Sequence, residues 1–172
     1  MKRVLFLSLA GIFLFNGLCT PVAQAQKGDT YNTPPHLSGD RLKEMGWEAH
    51  QEVNRYRRRR NLPPLAWSEV VYKECLDHSR DMARSGRLSH DGFNRRVANI
   101  RAKVSANGVA ENVAYNWNVD DPVRVAVQGW IDSPGHHANL IGNYSHAAIA
   151  VVQANNGAYY LTQMFYEEVP VR

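Results

Sequence analysis

Cysteine is scarce in this 172-residue chain: there are two, Cys19 and Cys75. If the N-terminal segment carrying Cys19 is removed on export, Cys75 stands alone and no intramolecular disulfide can form, so an apolar core has to carry the fold. A large excess of one charge is also missing. The formal charge is +4, and without Lys2 and Arg3 it is +2, from 18 basic against 16 acidic side chains, too weak to argue for nucleic acid as a partner. The longest apolar run, Val4 to Phe15, is shorter than the roughly 20 residues of a membrane-spanning helix. Internal repeats and low-complexity tracts are lacking. So are two hydrolase signatures. Ser133 lies in Asp132-Ser133-Pro134-Gly135 rather than in a Gly-x-Ser-x-Gly elbow and reads as a helix cap, and no His-Glu-x-x-His pair puts two zinc ligands one helical turn apart.

What is present starts with an export signal. Lys2 and Arg3 precede the apolar run, and Ala23-Gln24-Ala25 has the small-x-small pattern of a signal-peptidase site, which sets residues 1–25 as signal peptide. A lipidation box around Cys19 is disfavoured by Asn16 and Leu18. Residues 26–38, with Gly28, Pro34 and Pro35 and no apolar periodicity, read as a leader, and 39–172 as one domain of ordinary size.

Met45, Ala49, Val53 and Tyr56 recur at helical spacing between Arg41 and Arg60, ahead of Asn61 and Pro63-Pro64. The arginines Arg55 and Arg57 to Arg60 then lie at the negative pole of that helix and read as a solvated end. Ser68 caps a second helix whose stripe is Val71, Cys75, His78 and Met82, stopped at Gly86. Gly92 to Ala106 is basic and reads equally as helix or loop, and Val109 to Tyr115 as a short strand. Asp121-Pro122 opens a helix with Val123, Ala126, Val127 and Trp130 on one face, and Ser133-Pro134 opens a shorter one that ends by Gly142. Strands over Ala147–Val152 and Tyr159–Phe165 flank the hairpin turn Asn155-Asn156-Gly157. Helices first and an antiparallel pair last predict an α+β fold.

The chemistry-bearing residues come in short phrases. His90, in Ser89-His90-Asp91-Gly92, sits at a corner between elements. Glu111, among Val109, Ala110, Val113 and Ala114, is a carboxylate headed for burial, which demands a partner: a salt bridge or a ligand. His146 opens an apolar strand, where a rigid element would hold its ring. Of the adjacent His136 and His137, one at most should face a cavity shared with His146, and His137 reads as exposed. His78 and Cys75 fall on a core stripe, while His36 and His50 read as incidental. Two or three imidazoles and a carboxylate suit a divalent cation or a proton-transfer site.

These phrases give the chain a resemblance to the CAP superfamily, that of cysteine-rich secretory proteins, antigen 5 and pathogenesis-related 1 proteins, in its disulfide-poor bacterial branch. It rests on Asn54-Arg55-Tyr56-Arg57 with Leu62-Pro63-Pro64-Leu65-Ala66-Trp67, Asp81-Met82-Ala83 with Ser89-His90, Ala110-Glu111-Asn112-Val113-Ala114, Trp130 with Ser133-Pro134-Gly135-His136 and Asn139, Ser145-His146, and Tyr160-Leu161-Thr162-Gln163-Met164-Phe165. The resemblance implies a three-layer α-β-α sandwich around a central antiparallel sheet, covering residues 40–166. It also implies a cleft with two histidines and acidic residues that holds zinc or another divalent ion in several members. By motif position His90, Glu111 and His146 match that set. Ser133 stands where animal and plant members carry a glutamate, and His136 is the candidate to compensate. The implied role is a secreted binding or interaction module, extracellular or periplasmic, with a metal, a lipid or sterol, or a host or envelope protein as partner. The alternative is a secreted metal-dependent hydrolase with Glu111 as general base and His90 and His146 on a metal-bound water.

Overall fold

A computed structural model of the chain describes residues 3–9 and 35–169. In chain order the elements are β1 (Arg3–Leu9), α1 (Gly39–Arg59), β2 (Ala66–Trp67), α2 (Glu69–Ser85), α3 (Phe93–Arg101), β3 (Ala106–Trp117), α4 (Pro122–Asp132), α5 (Pro134–Leu140), β4 (His146–Gln153) and β5 (Tyr159–Glu168). The five strands lie in the order β1-β3-β5-β4-β2. All neighbours are antiparallel except β2 and β4, which pair in parallel through Ala66↔His146 and Trp67↔Ala147.

Strand alternation builds two cores, one on each face of the sheet. On one face Leu161 and Phe165 of β5, Ile149 and Val151 of β4, and Ala110 and Ala114 of β3 meet Met45, Ala49 and Val53 of α1 and Val123, Val127 and Trp130 of α4. On the other, Ala148, Ala150 and Met164 meet Val71 and Cys75 of α2 and Ile100 of α3, with Met82, Val113 and Tyr160 continuing the layer. The architecture is therefore the expected α+β, three-layer α-β-α sandwich, with the parallel β2 added at one edge. The helix stripes read from the sequence are the faces that pack.

Caps explain several boundaries. The Ser38, Ser68 and Asp121 side chains accept from the backbone N–H three residues on, opening α1, α2 and α4, and Gly86 closes α2 at φ 66°. Helix α1 approaches the sheet so closely at Gly46 that a Cβ there would lie 2.3 Å from the Ile149 carbonyl oxygen.

The sequence expectations need correction at several points. Of the two readings left open for the basic stretch after Gly92 the structure has the helix, α3 over nine residues, with Ile100 and Arg96 on its buried side. Strand β3 runs for 12 residues, not seven, since β5 pairs with it from Ala106 to Asn116. The two-residue β2 is too short to show any alternation in the sequence. His50, expected to be incidental, is buried at 1% exposure, with Nε2 3.1 Å from the Leu65 carbonyl. The signal-peptidase site and residues 26–34 of the leader lie outside the described residues. The end of the leader is tied down: the Leu37 N–H donates to Gln153 Oε1 at 2.7 Å, and Gln153 Nε2 donates to the Pro35 carbonyl at 3.3 Å.

Candidate functional site

Glu111 sits in mid-β3, flanked by residues that serve the opposite face, so its side chain enters the α2/α3 layer and is wholly buried. A carboxylate there must be compensated. Arg96 of α3 supplies a fork: Nε donates to Oε2 at 2.8 Å and Nη2 to Oε1 at 2.7 Å. Gly92 leads into α3 beside the fork. Its φ of 77° turns the chain into α3, and a Cβ on it would lie 3.3 Å from Arg96 Nη1.

Two imidazoles complete the network. Arg96 Nη1 donates to the Asp91 carbonyl at 2.7 Å and lies 3.1 Å from His78 Nδ1. A guanidinium cannot accept, so His78 Nδ1 is the acceptor and its Nε2 carries the proton donated to the Ser89 carbonyl at 2.8 Å. Burial holds the His78 pKa below its ordinary value and Arg96 pushes the same way, against the pull of Glu111. His78, assigned to the core, is thus buried as expected but belongs to the polar network, with Nε2 3.9 Å from Glu111 Oε1.

His90 approaches from the loop between α2 and α3, its Nδ1 2.8 Å from Glu111 Oε1. The carboxylate accepts, so Nδ1 carries the proton and in the neutral ring Nε2 keeps its lone pair. That Nε2 is buried and has no hydrogen-bond partner. A carboxylate fixing one imidazole nitrogen while the other is left available is the arrangement that orients a metal ligand or a proton acceptor. A cleft of about 370 Å³ between α2 and α3 reaches His78 and Arg96 and is walled by charged side chains, among them Lys73, Asp77, Asp81 and Arg95.

The other two candidates sit elsewhere. His146 shares the face of Glu111, but β5 separates β4 from β3, and the ladder sets His146 opposite Tyr166 and Glu111 opposite Met164. The His146 ring stacks on Tyr166 at 4.7 Å between centroids, Nδ1 is 2.9 Å from Ser145 Oγ, and Nε2 is 3.9 Å from Glu168 Oε2. His136 comes from α5, which packs on the Asn112 side of β3. There Asn139 Nδ2 donates to Asn112 Oδ1 at 2.8 Å and Asn112 Nδ2 to Gln163 Oε1 at 3.3 Å. Ser133 stands at the N-cap position of α5 without capping it; its hydroxyl is instead 2.7 Å from His136 Nδ1. His137, expected to be exposed, is half-buried with Nε2 2.9 Å from the Tyr56 hydroxyl. Among the described residues, no three His, Cys, Asp or Glu side chains gather as a metal-holding group. Cys75 is free and fully buried, and burial raises its thiol pKa well above the ordinary value. Sequence reasoning missed Arg96, since nothing in Asn94-Arg95-Arg96 marks which arginine turns inward.

The three-layer sandwich is shared with solved extracellular and surface proteins. An outer surface protein of Borrelia burgdorferi superposes with a TM-score of 0.65 at 18% identity, over 74% of this chain and 96% of that one, a likeness of fold. An extracellular protein of Bacillus anthracis containing an SCP domain gives a TM-score of 0.63 at 27% identity, over 77% of this chain and 44% of that one. The model of the CAP family, the cysteine-rich secretory protein family, matches residues 50–165, and the chain belongs to it. An uncharacterized membrane protein of Bacillus subtilis (strain 168), YlbC, is 27% identical over 128 residues. That stretch is 69% of this chain and 36% of the relative, so the chain spans about a third of that protein's length. No helix among the described residues is long and apolar enough to cross a membrane.

Proposed function

We propose that this chain is an exported CAP-domain binding module whose ligand-contacting atom is His90 Nε2, with zinc or another divalent cation as the ligand. The observation that carries the reading is that this nitrogen is buried and without a partner while Nδ1 is held on Glu111. Both Glu111 oxygens are taken by Arg96 and His90, which makes Glu111 the orienting carboxylate behind the ligand and not itself a ligand. A cation there would take His90 Nε2 as its protein ligand. The signal-peptide pattern and the likeness to an extracellular protein support the export reading.

The hydrolase alternative shifts its roles on the same geometry. Glu111, with both oxygens held by Arg96 and His90, is not placed to take a proton from substrate, whereas His90, with Nδ1–H on Glu111, keeps an unpartnered lone pair on Nε2 as the base.

The test is zinc titration by calorimetry on the protein recovered after export, from about pH 5 to 8, with His90→Ala and His146→Ala alongside. Binding that weakens as imidazole protonates, disappears in His90→Ala and persists in His146→Ala is expected. Absence of binding in the wild type would refute the cation reading, and equal loss in both variants would refute the assignment to His90 alone.

A further inference from the structure

Strand β3 is paired on both sides, with β5 on one and β1 on the other. The β1 ladder runs for seven residues, from Arg3↔Trp117 through Phe6↔Ala114 to Leu9↔Glu111. Yet β1 lies inside the segment read as signal peptide. Cleavage after Ala25 therefore strips one row of hydrogen-bond partners from Glu111 to Trp117.

That edge lacks several of the features that normally blunt one, and its inward-pointing charge, Glu111, is paired with Arg96. Glu111-Asn112-Val113-Ala114-Tyr115-Asn116-Trp117 contains no proline and no lysine, and the irregularity of β3 at Asn107/Val109 falls outside the β1 ladder. With β1 in place, Glu111 to Ala114 and Asn116 are fully buried or nearly so, so losing it uncovers backbone N–H and C=O groups beside apolar surface. Helices α4 and α5 also pack against β1, which makes the vacated position a groove and not a flat rim.

We infer that the outer edge of β3 is a strand-acceptor site for an extended, apolar peptide of about seven residues running antiparallel to β3, with β1 standing in for that peptide in the uncleaved chain. The end of the groove is Glu111, the residue that holds His90, so a bound strand delivers one peptide residue to the neighbourhood of the His90–Glu111 pair. The inference rests on the export reading and extends it by assigning the class of partner.

The test uses protein recovered after export, whose intact mass is measured first. The probe is a fluorescent peptide with the sequence Arg3–Leu9 and a solubilising lysine tail, in three forms: unmodified, and N-methylated on one or the other alternate set of residues. In an antiparallel pair only alternate residues bond to a given neighbour. One methylated form should therefore bind about tenfold or more weakly while the other stays close to the unmodified peptide, as expected when two or three net hydrogen bonds are lost. Peptide binding should also slow amide exchange over Val113–Asn116. A mass beginning at Gln26 with no peptide binding, or with equal binding by both methylated forms, overturns the inference alone. A stable dimer that the peptide does not dissociate overturns it in favour of a second copy of the chain. A mass that retains residues 3–9 overturns the export reading and, with it, the open edge.

Discussion

Replacing Arg96 with methionine isolates the energetics of the site. The guanidinium makes two bonds to Glu111 and one to the Asp91 carbonyl, and it is the donor that His78 Nδ1 faces. Arg96 is 2% exposed and Glu111 0%, so the carboxylate has no exposed surface through which bulk water could replace the fork. Removing one partner of a buried pair costs about 3–5 kcal/mol, because the remaining charge keeps its desolvation penalty. For a domain of this size that corresponds to a fall in Tm of roughly 10–15 °C. Urea denaturation at pH 7 of Arg96→Met, Glu111→Leu and the double variant measures it. The double variant replaces both charges with side chains of similar volume and is expected to recover to within about 1–2 kcal/mol of the wild type. A single-variant loss below about 1 kcal/mol, or a double variant no more stable than Arg96→Met, would refute the view that Glu111 is an uncompensated buried charge without Arg96.

His50 gives a pH signature. Burial lowers its pKa to about 4 from an ordinary 6.5, so the unfolded chain binds the extra proton between those values, and stability is lost as pH falls from about 6.5 towards 4. The shift amounts to about 3 kcal/mol, and a His50→Gln variant should lose correspondingly less between pH 7 and pH 4 in urea midpoints; identical slopes would contradict it. Gly46→Ala forces its Cβ against the Ile149 carbonyl, backbone against backbone, and should cost about 3 kcal/mol or more, read by thermal unfolding. Cys75 is fully buried with its thiol pKa raised, so it should resist a thiol reagent until urea unfolds the chain; prompt labelling of the native protein would count against the packing of α2 on β4.

The helices were legible because each carries its own punctuation: Ser68 to Gly86 encloses Val71, Cys75, His78 and Met82, and all four are buried. Helix α3 was not, because a basic stretch with one buried arginine shows no apolar face until Glu111 is known to lie beneath it. The pairing of His90 with Glu111 could be anticipated from a carboxylate among apolar neighbours and a histidine at a corner. The distance of His146 from them could not, since it depends on β5 inserting between β3 and β4, a fact of sheet order that no local pattern encodes. His136 fell on the opposite face of the sheet, because α5 packs on the Asn112 side of β3.

The double duty of β5 has a consequence for how the molecule comes apart. Leu161 and Phe165 belong to one core and Tyr160 and Met164 to the other, in strict alternation along a single strand. A slip of one residue would exchange the two sets, driving Gln163 and Thr162 into each other's layers, so neither layer can repack while the other stays native. The two sides of the sandwich are therefore bound into one cooperative unit, and partially unfolded forms that keep half the molecule have no register in which to persist.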